Sequence, residues 1–191
     1  MARYGKDHKQ ATRRRIVAAA GRRLKRDGID GSGVATLMAD AGLTNGAFYA
    51  HFDSKEDLVA STVADQLREQ RERYSTQSLE DIVRGYLSPQ HRDDTEGGCP
   101  SAALLDEIAR SSDAVKRAYT DGQLAIIDDA AARLAPDDPQ SARVRTLSVF
   151  ALMVGTLQVS RALADQRLAD NVLEQGIQNA LALLGTAEQD S

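Results

Sequence analysis

Apolar residues recur at helical spacing along most of the chain. In the first such segment, residues 12–27, one face carries Ile16, Val17, Ala20 and Leu24, and arginines occupy the opposite face. The same spacing, with glycine, proline and capping residues between the segments, predicts further helices at residues 54–77, 79–87, 100–110, 113–135, 140–164 and 168–184. A polar loop is predicted at residues 90–98, after Pro89 stops a helix. Only 4% of the residues are aromatic, and long stretches rich in Ala, Leu, Arg and Gln lack proline. The pattern therefore predicts an all-α fold.

Between the first two long helices, the pattern predicts two very short helices. They span Val34–Ala41 and Asn45–His51 and are joined by Gly42-Leu43-Thr44, where Gly42 can take a positive φ and Thr44 can cap the second helix. Helices of this length are unstable alone, so they must pack against the helices before and after them. Such a helix-turn-helix presents its second helix to the major groove of DNA.

The charge is distributed unevenly along the chain. The net charge is −4, but residues 1–60 carry eleven Lys and Arg against seven Asp and Glu, and the rest of the chain carries thirteen against twenty-one. Ten of the eleven basic residues precede Asp27. A basic end on an acidic body indicates a polyanionic partner at that end, although a solvated helix face explains the charge alone equally well.

Several classes of protein are disfavoured by composition. Three histidines and one cysteine cannot assemble a four-ligand structural zinc site, and no disulfide can form within the chain. Phosphate-binding glycine loops and the common hydrolase and metalloprotease motifs do not occur, so we expect neither an enzyme nor a cofactor. The longest nearly apolar stretch, residues 147–159, is too short to cross a bilayer, and no signal-peptide core follows the basic N-terminus. We expect a cytoplasmic protein without a membrane partner.

The stretch from Leu37 to Leu58, LMADAGLTNGAFYAHFDSKEDL, resembles the DNA-binding signature of the tetracycline-repressor (TetR) family of bacterial transcriptional regulators. The resemblance covers roughly residues 10–60, and Gly33 and Met38 depart from the residues that the family usually has there. It implies an N-terminal three-helix helix-turn-helix DNA-binding domain, residues 1–54, followed by a helical effector-binding and dimerisation domain, residues 55–191.

The second short helix carries the candidate base-reading residues. Thr44 and the amides after it can hold a phosphate at the helix start. Asn45 is the best candidate for a hydrogen bond to a base edge, or it merely favours the helix start. Gly46 lets the backbone come close to DNA, and Ala47 suits contact with a thymine methyl.

Further candidates contact the DNA backbone. The resemblance implies this role for Tyr49, His51 and Lys55. A basic arm ahead of the first helix, with Arg13 and Arg14, can add phosphate or minor-groove contacts. Two alternatives stay open: Tyr49 can belong to the core, and His51 can make a structural hydrogen bond.

The last two predicted helices, the eighth and ninth, are candidates for a dimer interface. The eighth is apolar nearly all round and must be covered on every side, and the ninth carries a broad apolar stripe. We infer that both pair with their copies in a four-helix interface, as the resemblance also implies. A homodimer would set two recognition helices about 34 Å apart, which suits a palindromic operator.

Members of the family usually enclose a small-molecule pocket in the helical body. The candidate effector-binding residues here are Tyr86, Cys99, Ala103, Tyr119, Gln123, Phe150, Met153 and Gln158. For each of them, ordinary core is the stronger interpretation. The resemblance implies a dimeric repressor that an effector of unknown identity releases from its operator.

Two other functions compete with this hypothesis. Cys99 precedes Pro100 at a predicted helix start, where the dipole favours a thiolate, so a repressor sensing electrophiles or oxidants through Cys99 is one alternative. A buried, inert Cys99 is the opposing interpretation. The other alternative is a DNA-organising protein that needs no effector.

Overall fold

The computed structural model of the protein describes residues 2–185, with side chains from residue 7 onward. Over these residues the chain forms nine α-helices and one 3₁₀ helix, with no strand. The elements are α1 (Ala2–Asp27), α2 (Val34–Asp40), the 3₁₀ helix (Asn45–Ala50), α3 (Lys55–Tyr74), α4 (Leu79–Tyr86), α5 (Pro89–Asp93), α6 (Pro100–Arg110), α7 (Asp113–Leu134), α8 (Pro139–Ala162) and α9 (Gln166–Leu184). The predicted all-α fold with an N-terminal helix-turn-helix is confirmed.

Helix α1 begins ten residues earlier than the apolar pattern predicts. It starts at Ala2 instead of Thr12, so the prediction of a separate basic arm that includes Arg13 and Arg14 is wrong. Residues 2–11 carry no apolar stripe, but they contain helix-forming Ala, Arg, Lys and Gln and no proline, so they can extend a helix that is already nucleated. The predicted end of the helix is confirmed: Gly28 has φ +81° and its amide donates to the carbonyl of Leu24.

The helix-turn-helix is built around a small apolar core. Gly42, with φ +68°, turns the chain between α2 and the following helix. That second helix is a 3₁₀ helix rather than the predicted α-helix, because six residues allow few i→i+4 hydrogen bonds. The amide of His51, for example, donates to the carbonyl of Phe48, three residues earlier. Phe48 and Phe52 are almost fully buried beneath it. The head, as we call residues 7–54, therefore closes its own core against α3.

Helix α3 connects the head to the rest of the molecule. Ser54 caps it, accepting from the amide of Asp57 at 3.1 Å, and the Asp57 carboxylate accepts from the amide of Asp53 at 3.2 Å. One end of α3 therefore lies beside the helix-turn-helix, while its other end, at Tyr74, reaches the helical body, as we call α4–α9.

In the body, the predicted polar loop at residues 90–98 contains a short helix instead. Pro89 does not simply end a helix but occupies the first turn of α5, where its missing N–H costs nothing, and the Ser88 hydroxyl accepts from the amide of His91. Helix α6 begins at Pro100, with Cys99 at the N-cap position. The final helix ends at Gly185, φ +74°, as predicted, and residues 186–191 lie outside the described part of the chain.

Two apolar clusters fill the molecule. The first joins the head to α3, α6 and α7, and the second joins α4, α6, α8 and α9. Helix α8 contributes Val149, Met153 and Leu157 to the second cluster. Val144 and Val159 of the same helix are exposed. Within residues 2–185, no helix has both the length and the apolar character that a bilayer span requires.

Candidate DNA-binding surface and ligand cavities

The start of the 3₁₀ helix presents polar groups to solvent. Thr44, Asn45 and Gly46 are exposed, and Ala47 is half-buried. The Thr44 hydroxyl does not cap the helix as predicted: Thr44 has extended backbone at the N-cap position and its side chain makes no capping hydrogen bond. The hydroxyl and the first amides are therefore left for an outside acceptor, such as a phosphate. A Cβ on Gly46 would meet nothing within 4 Å, so the space beside it is open.

Tyr49 stands on the same surface. It is 78% exposed, although its ring edge packs against Phe48 with a centroid distance of 5.2 Å. The alternative that Tyr49 belongs to the core is therefore wrong. An aromatic ring with a hydroxyl at its tip, held out in solvent beside Asn45, is suited to contact a large polar partner.

The basic side chains of α1 lie beside this surface. The Arg13 guanidinium lies 4.6 Å from the centroid of the Phe52 ring, and it donates to the hydroxyl of Ser61 at 2.7 Å. Arg14 is exposed on the same helix. Arg13 is thus positioned by the head core and by α3, rather than carried on a loose arm.

His51 and Lys55 flank the end of the 3₁₀ helix. Burial, followed by the nearby charges of Lys9 and Arg13, lowers the pKa of His51, so the ring is neutral at physiological pH. Among the described residues, its buried Nδ1 has no hydrogen-bond partner, which disfavours a purely structural hydrogen bond at that atom. Lys55 is the first residue of α3, at the positive end of the helix dipole, where a phosphate would relieve the unfavourable interaction.

A cavity of about 340 Å³ lies between α3 and the body. Helices α3, α4, α7 and α8 form its walls, which are mostly apolar, and Arg71, Asp129 and Arg133 supply its charged residues. Arg71 and Asp129 pair with each other through two hydrogen bonds of 2.6 and 2.8 Å. Such a volume is at the small end of the range for ligand sites.

Three of the predicted effector residues, Tyr86, Phe150 and Met153, line this cavity. Several other lining residues, which come from four different helices, were not predicted: Tyr74, Ile82, Ile126, Ile127 and Val149. Tyr74 continues the helical spacing of Leu67 and Gln70 along α3, which is a usable signal. The α7 residues carry no signal that separates cavity lining from ordinary core.

The other predicted effector residues lie elsewhere. Ala103 packs against the first apolar cluster. The Tyr119 hydroxyl lies 3.1 Å from that of Ser101, which also donates to Gln123, and the Gln158 amide donates to the carbonyl of Ala102. The lining of the large cavity does not include these four residues. They connect α6 to α7 and α8.

Cys99 lines a second cavity of about 210 Å³, which shares Tyr74, Ile82 and Tyr86 with the first. The thiol is buried, and its sulfur lies 3.5 Å from Oε1 and 3.6 Å from Nε2 of Gln70. The prediction that Cys99 lies at a helix start is confirmed, and the fold places the residue beside this cavity.

Comparison with a protein-family model agrees with the helix-turn-helix described above. Residues 16–62 match the family model described as bacterial regulatory proteins, tetR family. No curated protein shows a significant match in sequence.

Among solved structures, the chain is similar to a TetR-family regulator from Agrobacterium tumefaciens, with 21% identity over 90% of this chain and 98% of that one and a TM-score of 0.72. The reduced form of Escherichia coli NemR has 18% identity over 89% and 95%, with a TM-score of 0.70. Bacillus subtilis FadR, in complex with stearoyl-CoA, has 16% identity over 91% and 98%, with a TM-score of 0.62. Because these sequence identities are low, the similarity to these structures shows a shared fold alone. Residues 16–62 therefore match the DNA-binding domain of the TetR family of bacterial regulatory proteins, and the chain as a whole has the all-helical fold of the solved TetR-family regulators.

Proposed function

We propose that this protein is a homodimeric repressor that binds a palindromic operator and leaves it when a small molecule enters the body. The observation that carries the proposal is the exposed surface of the 3₁₀ helix, where Asn45 and the 78%-exposed Tyr49 stand above a closed core. We assign residues 1–54 to DNA binding and residues 55–191 to dimerisation and effector binding. The protein would act in the cytoplasm, without catalysis or a cofactor.

The exposed face of α8 supports dimerisation. Val144, Ser148, Ala151, Gly155 and Val159 recur at helical spacing and are all exposed. A Cβ on Gly155 would meet nothing within 4 Å, so small residues in the middle of the face leave room for a second helix. Two apolar residues of α9, Leu168 and Leu183, are also about half exposed. A second copy of this chain covers such a self-complementary patch.

The position of α3 supports the proposal that a ligand in the cavity changes DNA binding. It carries Lys55 at the DNA-binding end and Tyr74 at the cavity. In its middle, α7 approaches closely, because a Cβ on Gly122 would lie only 2.8 Å from the side chain of Leu67. A ligand that displaces α7 therefore also displaces α3, and with it the spacing of the two heads.

The experiment combines sedimentation with gel retardation on the protein's own promoter region. We expect a dimer at micromolar concentration and retardation that weakens as salt rises. Val159→Glu should give monomers that bind DNA at least tenfold more weakly, because one head supplies only half of the contacts. Leu105→Glu, at an exposed apolar position of α6, is the matched control. A monomeric wild type, or one that retards no fragment, would contradict the proposal.

An effector-independent DNA-organising protein remains the alternative from another class. It predicts many dispersed sites in a genome-wide binding map and no neighbouring gene that responds to deletion. A few palindromic sites beside responsive genes would favour the repressor.

A further inference from the structure

A thiol and a phenol hydroxyl, those of Cys99 and Tyr86, line the second cavity. The Tyr86 side chain is 97% buried, with 3% of its surface exposed, and its hydroxyl has no hydrogen-bond partner in the described structure. It lies near the sulfur of Cys99, and both residues line the cavity of about 210 Å³. An unsatisfied buried hydroxyl normally costs stability, so the Tyr86 hydroxyl has a hydrogen bond to offer to a molecule that enters the cavity.

The hydroxyl is a hydrogen-bond donor at physiological pH. Burial, and then the nearby sulfur of Cys99, raise the pKa of Tyr86 well above its ordinary value of 10. The phenol therefore keeps its proton and can donate to an acceptor oxygen in the cavity.

Two cations lie near Cys99. The Lys25 ammonium is almost fully buried and donates to the carbonyl of Gly98 at 2.9 Å. The half-buried Arg161 donates to the carbonyls of His91 and Arg92. Neither cation makes an ion pair with a described carboxylate, although Asp94 acts on both electrostatically. The sulfur of Cys99 also interacts electrostatically with both cations.

His91 fixes the position of Cys99. Its Nδ1 lies 2.7 Å from the carbonyl of Tyr86, and its Nε2 accepts from the amide of Cys99 at 2.9 Å. These partners require a neutral ring with the proton on Nδ1. The ring thus joins the backbone of Tyr86 to that of Cys99, and so keeps the hydroxyl and the thiol in one cavity.

We propose that the cavity takes a small α,β-unsaturated carbonyl compound, which Cys99 attacks while the Tyr86 hydroxyl holds the carbonyl oxygen. The thiol loses its proton to solvent, and the sulfur forms a bond to the β carbon. The carbon–carbon π bond breaks, and its electron pair moves to the carbonyl oxygen as an enolate, which Tyr86 stabilises. A solvent proton then adds to the α carbon and leaves a saturated thioether, with no oxidant required.

This chemistry fits the chain better than a thiol–disulfide switch. Cys99 is the single cysteine of the sequence, so no second thiol in the chain can resolve an oxidised sulfur into a disulfide.

The site is also connected to the head. Lys25 lies two residues before the end of α1, and the neighbouring Arg26 pairs with Glu96 at 3.0 Å. A group attached at Cys99 would displace the carbonyl of Gly98 and thereby the end of α1. This regulatory step rests on the proposed function, because it requires a head that binds DNA.

The experiment exposes the full-length protein to methyl vinyl ketone and follows the intact mass, with butan-2-one as the unreactive control. We expect one adduct per chain at Cys99, none in Cys99→Ser or Cys99→Ala, and loss of gel retardation in the wild type alone. Tyr86→Phe should react about tenfold more slowly, because it lacks the donor for the enolate. Its reaction with methyl methanethiosulfonate, which forms no enolate, should stay within about twofold of the wild type. Tyr119→Phe, whose lost hydroxyl pairs with Ser101, is the matched control.

Each contrary outcome has a separate meaning. If the folded protein forms no adduct while the unfolded chain does, the proposed site is wrong. Equal rates for Tyr86→Phe and wild type would remove the role of the hydroxyl. An adduct that leaves DNA binding unchanged would overturn the regulatory step. If untreated protein retards no DNA, the proposed function fails instead, while the mass measurement still decides the chemistry.

Discussion

The head and the body use the same kind of amphipathic helix but place their polar groups in opposite ways. In the head, the large apolar side chains Leu37, Phe48 and Phe52 are at most 2% exposed, and the candidate DNA-binding groups stand outside. In the body, polar groups such as the Tyr86 hydroxyl lie inside, beside two cavities. Substitutions at a site on the surface of a filled core leave the stability of the protein unchanged, whereas substitutions at a site within the packed interior also change its stability. The following predictions test this difference.

The largest difference is expected between two phenylalanines. Phe48→Ala in the head should lower the free energy of unfolding by about 3–5 kcal/mol, because Phe48 is 1% exposed and its removal leaves a hole in a filled core. Phe150→Ala should cost less than half as much, since Phe150 is half-buried and already borders open space. Chemical denaturation measures both. Equal losses would show that the body is packed as tightly as the head.

Changes on the DNA-binding surface should affect binding but not stability. Tyr49→Ala and Lys55→Ala should each weaken binding to all sequences, whereas Asn45→Ala should lose about 1–3 kcal/mol of discrimination at one base pair. Stability should stay within about 0.5 kcal/mol, because these groups lie outside the core. Selection from random DNA and thermal denaturation test the two parts. Tyr49→Phe separates the hydroxyl from the ring, and an equal loss of discrimination from all three alanine variants would contradict the division of roles.

Acidification should destabilise the body through His91. Burial lowers its pKa, partly opposed by its bond to the carbonyl of Tyr86, so the unfolded chain binds a proton more readily than the folded protein does. The stabilisation is present above the ordinary pKa of about 6.5 and is lost as pH falls through that value towards the folded pKa. Unfolding free energies measured from about pH 7.5 to about pH 5.5 should fall more steeply for wild type than for His91→Gln. His8→Gln, at an exposed position of α1, is the control, and parallel curves for His91→Gln and wild type would contradict this assignment.

The smallest effect is expected for the ion pair beside the large cavity. Arg71→Ala removes two hydrogen bonds to Asp129, but both side chains are nearly half exposed, so the loss should be under about 1 kcal/mol and should shrink in high salt. Denaturation at low and high salt measures it. A loss of about 2 kcal/mol or more would mean that this pair holds α3 to α7 more strongly than exposed pairs usually do.

The sequence predicted features that depend on neighbouring residues better than features that depend on the packing between helices. The helix-turn-helix, the cap at Ser54 and the stop at Gly28 follow from local chemistry, because each depends on a few neighbouring residues. The start of α1 and the short α5 were missed, since neither has an apolar stripe of its own. For the cavity, Tyr86, Phe150 and Met153 were predicted, but Ile126 and Ile127 were not, because lining depends on which face of α7 meets α3 and α8.

The helical fold class, the position of the DNA-binding motif and the single cysteine follow from the amino-acid sequence, because periodicity, turn residues and composition act over short distances. The outward position of Tyr49 and the shared cavity of Tyr86, His91 and Cys99 depend on how the helices pack. Lys25 of α1 is far from Cys99 in the chain, and the packing of helices through their side chains brings the two together.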